Sequence, residues 1–231
     1  MTRIKNVFLC VFGFLFSTSC QSTFNRSAYD RTQGGRYPQI WWEEILKKDA
    51  PEWEIFPQDA LLNEVILSKR TELGILSNFA NTPFTYRGKT YASIEGFWQM
   101  LKFPELKNDE RIHQDTKWNY TREQVSSLSS FAAKAAGTEA SQNMKTLGID
   151  WVTFEGKKIN YRENKKGEFY QLIKEVMLEK IKQNSNVKKI LLQTGDLRLM
   201  PDHLQEPNSP PAWKYFEIWS EIREDLKKGG I

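Results

Sequence analysis

LSNFANTPFTYRGKTYASIEGFWQMLKF, residues 76–103, is the stretch that decides how the chain is read. Pro83–Tyr91 alternates about an Arg-Gly-Lys turn, which predicts a β-hairpin. Ser93 then offers a helix N-cap, and a helix is expected over Ser93–Phe103. At the helical rotation per residue, Ile94, Phe97 and Leu101 fall on one stripe, and Glu95, Trp98, Gln99 and Lys102 fall on another. One face packs, and the other presents an acid, an indole, an amide and an amine. The same spacing fits a solvated face with an i,i+7 charge pair, but a large aromatic ring is out of place there. Glu95 lies in the first turn, where the helix dipole favours the ionised carboxylate. These four side chains are expected to line one cleft together with Asn78.

Outward from this stretch, Asn63–Ser68 (NEVILS) is β-branched and apolar and reads as a buried strand. Thr121 and Gln124 form a capping-box pattern. A single helix is expected to follow, with Val125, Leu128, Ala132, Ala135 and Ala136 as its apolar stripe. Glu168–Gln183 carries apolar residues at helical spacing, as does Ala212–Lys228, with Gly229 as its C-cap. A shorter helix, Val187–Thr194, ends at Gly195, and Asp150–Phe154 reads as a strand or a tight connection. The fold class expected is α+β, mainly helical with a small sheet. Ile40–Leu46 is a short amphipathic segment, and Trp41, Trp42 and Trp53 are read as covering the core.

The 231-residue chain is 39% hydrophobic and 13% aromatic, enough to fill a core and to exclude a disordered class. Its net charge of +4 permits an anionic ligand without demanding nucleic acid. Met1–Cys20 holds a short basic start (Arg3, Lys5), a ten-residue apolar run Val7–Phe16, and small residues before Cys20. This pattern matches an export segment and resembles a bacterial lipobox, with Ser17 where leucine is usual. Ordinary signal-peptidase cleavage and a start codon assigned too early are the other two readings. The first gives a membrane-anchored envelope lipoprotein, the second a periplasmic protein, the third a cytoplasmic one. Residues 21–37 read as a tether, 38–62 as an N-terminal extension, and 63–231 as the main domain. Both cysteines, Cys10 and Cys20, lie at the N-terminus, so the rest offers no disulfide and no thiol nucleophile. Two histidines leave no Cys/His zinc cluster, and no metal or redox cofactor is expected.

The central stretch resembles the NADAR family, to which the YbiA-like N-glycosidases belong. Leu76, Ser77, Asn78, Phe79, Pro83, Phe84, Gly88, Tyr91, Ser93, Glu95, Gln99, Lys102 and Phe103 match its pattern. A weaker second block matches at Lys180, Gln183, Asn184, Leu191, Leu192, Thr194, Gly195 and Leu199. Two departures stand out. Gly96-Phe97-Trp98 stands where many members have His-Tyr-Tyr. Met200–Trp219, rich in proline, replaces a glycine-rich loop. The resemblance implies a YbiA-like fold and cleavage of an N-glycosidic bond to ribose, in a ribosyl nucleotide or an ADP-ribosyl base. It implies that Glu95 stabilises a ribosyl cation and that Asp202 helps the leaving base or activates water. Lys102 has three open uses: pairing with Glu95, holding a phosphate, or attacking C1′. Trp98 would stack on the base, and Asn78 and Gln99 would bind ribose hydroxyls. His203 is either a general acid or structural. Arg162 and Lys165 sit in a basic loop that binds phosphate or is simply solvated, and His113 reads as a surface residue. The alternative to an enzyme is a lipoprotein that binds ADP-ribose or a nucleotide without turnover. Oligomeric state is not legible.

The N-terminal pattern predicts that Cys20 carries lipid. Radiolabelled palmitate should enter the unmutated protein and not Cys20→Ser, and no incorporation into either would remove the lipoprotein reading.

Overall fold

A computed structural model describes residues 30–46, 48 and 50–229. The export segment, Cys20 and the first part of the expected tether lie outside the described residues. Among the described residues no helix is long and apolar enough to cross a membrane.

The predicted hairpin forms from β2 (Phe84–Tyr86) and β3 (Lys89–Tyr91), paired antiparallel with Phe84 opposite Tyr91. Arg87 and Gly88 both take positive φ, at 48° and 75°, the two-residue geometry whose twist matches the strands it joins. The buried strand β1 (Glu64–Ile66) pairs in parallel with β6 (Arg198–Met200). A further antiparallel pair, β4 (Trp151–Phe154) with β5 (Lys157–Asn160), resolves the ambiguity over residues 150–154 in favour of a strand. The fold is therefore α+β and mainly helical, but its strands form three separate two-stranded pairs instead of one small sheet.

Helix α1 (Ile94–Met100) starts where expected, with Ser93 Oγ accepting from Gly96 N at 2.9 Å. It ends earlier, since Lys102 N and Phe103 N bond three residues back and close the helix in a tighter turn. The helix expected after Thr121 is broken in two, α2 (Arg122–Ser126) and α3 (Ser130–Thr146). Ser126 and Ser127 hydroxyls both bond the Glu123 carbonyl, competing with the backbone for continuation. The break resets the helical phase, so α3 buries Ala133, Ala136, Ala140 and Met144, and Ala132 and Ala135 are exposed. Helices α4 (Glu168–Gln183), α5 (Ser185–Gln193) and α6 (Tyr215–Lys227) follow.

The N-terminal segments are part of the same body. Tyr37, placed in the expected tether, is buried and stacks on Trp41 at 6.0 Å, so the tether stops short of residue 37. A polar composition hid one aromatic anchor. Trp41 and Trp42 lie in the one hydrophobic core, with Trp42 Nε1 donating to Glu64 O at 2.9 Å, so residues 38–62 do not stand apart from the domain.

Gly96 is a point of close packing. A Cβ built there would stand 2.4 Å from the Leu128 carbonyl oxygen, so the helix can approach residues 125–128 only without a side chain. Gly96→Ala is expected to destabilise the fold by about 1–3 kcal/mol, read as a lowered Tm. An unchanged Tm would show that this approach is not tight.

Candidate functional site

A cavity of about 680 Å³ opens beside α1, and its size suits a nucleotide-scale ligand. Asn78, Glu95, Trp98, Gln99 and Lys102 line it together, and Arg162, Asp202 and His203 reach it from distant parts of the chain. Ile94, Phe97 and Leu101 are fully buried on the other face of α1. Lys165 is exposed and does not line the cavity, and His113 is also exposed. Its neighbour Lys166 pairs with Glu221, which draws the basic loop toward α6.

The floor is polar and buried. Gln99 Nε2 donates to Glu95 Oε1 at 2.7 Å, and no hydrogen bond engages Glu95 Oε2 among the described residues. Gly137 on α3 makes room for this amide, since a Cβ there would lie 1.7 Å from Gln99 Oε1. Asn78 is fixed from behind, with its carbonyl accepting from Glu95 N at 2.8 Å. Its side-chain Oδ1 is buried without a partner, an acceptor that a ligand hydroxyl would satisfy.

Lys102 Nζ donates to Ser141 Oγ at 2.9 Å. Burial, with repulsion from Lys134 and Arg162 outweighing attraction to Glu95, pulls the Lys102 ammonium down to about 8. None of Lys102, Lys134 and Arg162 forms an ion pair with a carboxylate among the described residues, yet all three line the cavity. Three cations free of direct ion pairs, against the one carboxylate of Glu95 beside them, form a binding place for an anion.

Asp202, just after β6, is buried. It is ion-paired with Lys69, and His203 Nδ1 lies 3.1 Å from its other oxygen. Burial pushes the Asp202 carboxyl up, but His203 and Lys69 outweigh this and hold it below the ordinary carboxylate range. With Nδ1 tied to Asp202, His203 has Nε2 to offer to the cavity, and its ring lies parallel to Tyr215 at 6.2 Å. Trp98, expected to be open for stacking, instead meets Phe169 edge to face at 4.8 Å.

Several wall residues escaped the sequence reading: Lys69, Phe131, Lys134, Ser141 and Trp53. Phe131, Lys134 and Ser141 sit on one side of α3, a face hidden once the helix was assumed continuous from Thr121. Trp53, read as covering the core, is 42% exposed at the cavity edge.

No protein-family model matches the chain, and no curated protein matches it. Among solved structures, it is similar to the NMR structure of the E. coli protein YbiA. The two are 19% identical over 73% of this chain and 89% of that chain, with a TM-score of 0.43. This is a distant likeness of fold only.

The depressed Lys102 ammonium sets a pH dependence for anion binding. Below about 8 the amine is charged and attracts an anion, and above it the charge is lost, well before the ordinary lysine value of 10.5. Affinity for inorganic phosphate should therefore fall as pH rises through about 8 in the unmutated protein. Lys102→Met should bind more weakly and lose that step in a calorimetric titration, and an unaltered step would remove Lys102 from the anion site.

Proposed function

We propose that the chain is an N-glycosyl hydrolase that cleaves the bond between a base and the ribose of a phosphorylated ribosyl compound, a ribosyl nucleotide or an ADP-ribosyl base. The observation that carries this reading is Glu95. It is a buried carboxylate, held by Gln99 at 2.7 Å, on the floor of a cavity that also holds a His–Asp pair and three cations in no ion pair among the described residues. Leaving of the base builds positive charge on the ribose ring, and a fixed carboxylate in a partly dry site stabilises that charge.

The steps divide between the two walls. His203 Nε2 gives its proton to the base nitrogen as the C1′–N bond breaks and its electron pair passes to the base. Asp202 keeps the imidazole oriented, so it acts through His203 as a positioning residue. Water adds its oxygen to C1′ and passes its proton to Glu95, and solvent exchange returns the protons to His203. Asn78 Oδ1 accepts from a ribose hydroxyl. Lys102, Lys134 and Arg162 hold the phosphate, which gives Lys102 a binding use in preference to attack on C1′. No cofactor enters this scheme. The export pattern places the enzyme in the envelope, anchored to the membrane through Cys20.

A second reading, ligand binding without turnover, is favoured by the ion pair that Lys69 makes with Asp202, which occupies one acid of the site. Release of free base from ADP-ribosyl-guanosine and from ribosylamino-pyrimidine phosphates separates the two. Glu95→Gln keeps shape and removes charge, so turnover should fall by roughly 10²–10³ with binding preserved. Equal turnover in Glu95→Gln would defeat the hydrolytic reading, and binding without any turnover in the unmutated protein would establish the second.

A further inference from the structure

The cavity has an aromatic rim that the scheme above leaves unused. Phe79 and Phe131 meet edge to face at 5.3 Å, and Trp53 tilts against Phe131 at 6.5 Å. Lys69 Nζ lies 5.0 Å from the Phe79 ring centroid and 5.7 Å from that of Trp53. Phe131 is 59% exposed, more than Trp53, and large rings left uncovered side by side mark a binding surface.

The rim has a defined place relative to the floor. From Phe131 to Ser141 helix α3 advances about 15 Å along its axis. Ser141 meets Lys102, and the Gln99 amide lies against Gly137. At the other end, Ser130 N donates to Phe79 O at 3.0 Å, beside the Asn78 carbonyl that caps Glu95. Along the cavity the order is thus rings, Glu95, Gln99, Lys102. A ribose at Glu95 has the buried amine on one side and the rings on the other. The proton donor stands at the ring end as well, because Lys69 joins the rings to Asp202 and Asp202 holds His203.

Trp53 is also braced. Arg70 grips its neighbour Glu54 with two hydrogen bonds of 2.7 and 2.8 Å, and Ile55 N donates to Asp202 O at 2.9 Å. The segment that carries the indole is therefore bonded to the loop that carries the acid. It belongs to the N-terminal extension, outside the blocks that resemble a known family.

From this order we infer that Trp53, Phe79 and Phe131 hold the leaving base as a planar heteroaromatic ring, with Trp53 as a principal stacking face. Trp98, engaged by Phe169, serves as a wall of the sugar site. The inference rests on the proposed ribosyl-phosphate reading of the floor, and it names the part of the ligand that the rim receives.

Calorimetric titration with adenosine 5′-monophosphate and with ribose 5-phosphate tests it, using the unmutated protein, Trp53→Ala, Trp53→Phe and Trp98→Ala. Loss of one stacking ring weakens binding by roughly 5- to 150-fold. Trp53→Ala should lose that factor for the nucleotide and nothing for ribose 5-phosphate, and Trp53→Phe should recover most of it. Equal effects on both ligands, no effect on either, or a selective loss confined to Trp98→Ala would overturn the base site. Ribose 5-phosphate bound as tightly as the nucleotide would overturn it and leave the hydrolytic reading standing. Ring-dependent binding through Trp53 without base release in the turnover assay would do the reverse.

Discussion

Three consecutive carbonyls, at Ile75, Leu76 and Ser77, govern where everything else in the site can stand. The buried Lys180 ammonium donates to Ile75 O at 3.2 Å and Ser77 O at 3.4 Å, and Trp219 Nε1 donates to Leu76 O at 2.6 Å. A loop buried this deeply must have its backbone acceptors satisfied, and here two side chains from α4 and α6 do so. Burial without a carboxylate partner pulls Lys180 down to about 7, a measure of how fully it is withdrawn from water. The reward is a fixed Asn78, and through the Asn78 carbonyl a fixed first turn of α1.

The second constraint is close approach. Gly96 lets α1 reach the carbonyls of α2 and its following turn, and Gly137 lets the Gln99 amide lie flat against α3. Without these two absences of side chain, Glu95 would have no buried orienting partner. The amide is almost fully enclosed, and its oxygen goes unpaired, a cost the fold bears to hold a carboxylate in place. The family-pattern residues in the second block work in the same structural way. Gln183 trades hydrogen bonds with both the N–H and the carbonyl of Thr85, each at 2.7 Å, and Thr194 Oγ1 accepts from Arg223 at 2.8 Å.

Charge is sorted across the cavity by these placements. Lys102 just past α1, Lys134 on α3 and Arg162 after β5 form no ion pair among the described residues, and the Asp202 carboxylate, held charged by His203 and Lys69, reaches the cavity from just after β6. Two acids in one site thus occupy different surroundings, one hydrogen-bonded by an amide and the other held by an ammonium and an imidazole. Such a division is how a site separates cation stabilisation from proton delivery.

The amino-acid sequence by itself determined the local pieces, because their causes are local. Arg87-Gly88 dictates the hairpin turn, Ser93 and Thr121 cap helices through their own hydroxyls, and the spacing within SIEGFWQMLKF puts Glu95, Gln99 and Lys102 on one side. It even named residues as remote as Arg162, from a basic loop before a helix, and Asp202, through a resemblance of pattern. What it misjudged were matters settled by neighbours far along the chain. The serine run at 126–130 broke a helix and turned Phe131, Lys134 and Ser141 to the cavity. Tyr37 joined the core because Trp41 and Trp42, bonded to the 72–76 turn and to β1, offered it partners. Only the tertiary structure decided that Trp53 stands open at the cavity edge, that Lys102 is stripped of water, and that Asp202 is already paired. Burial and the field of distant charges are properties of the packed whole, and no window of sequence contains them.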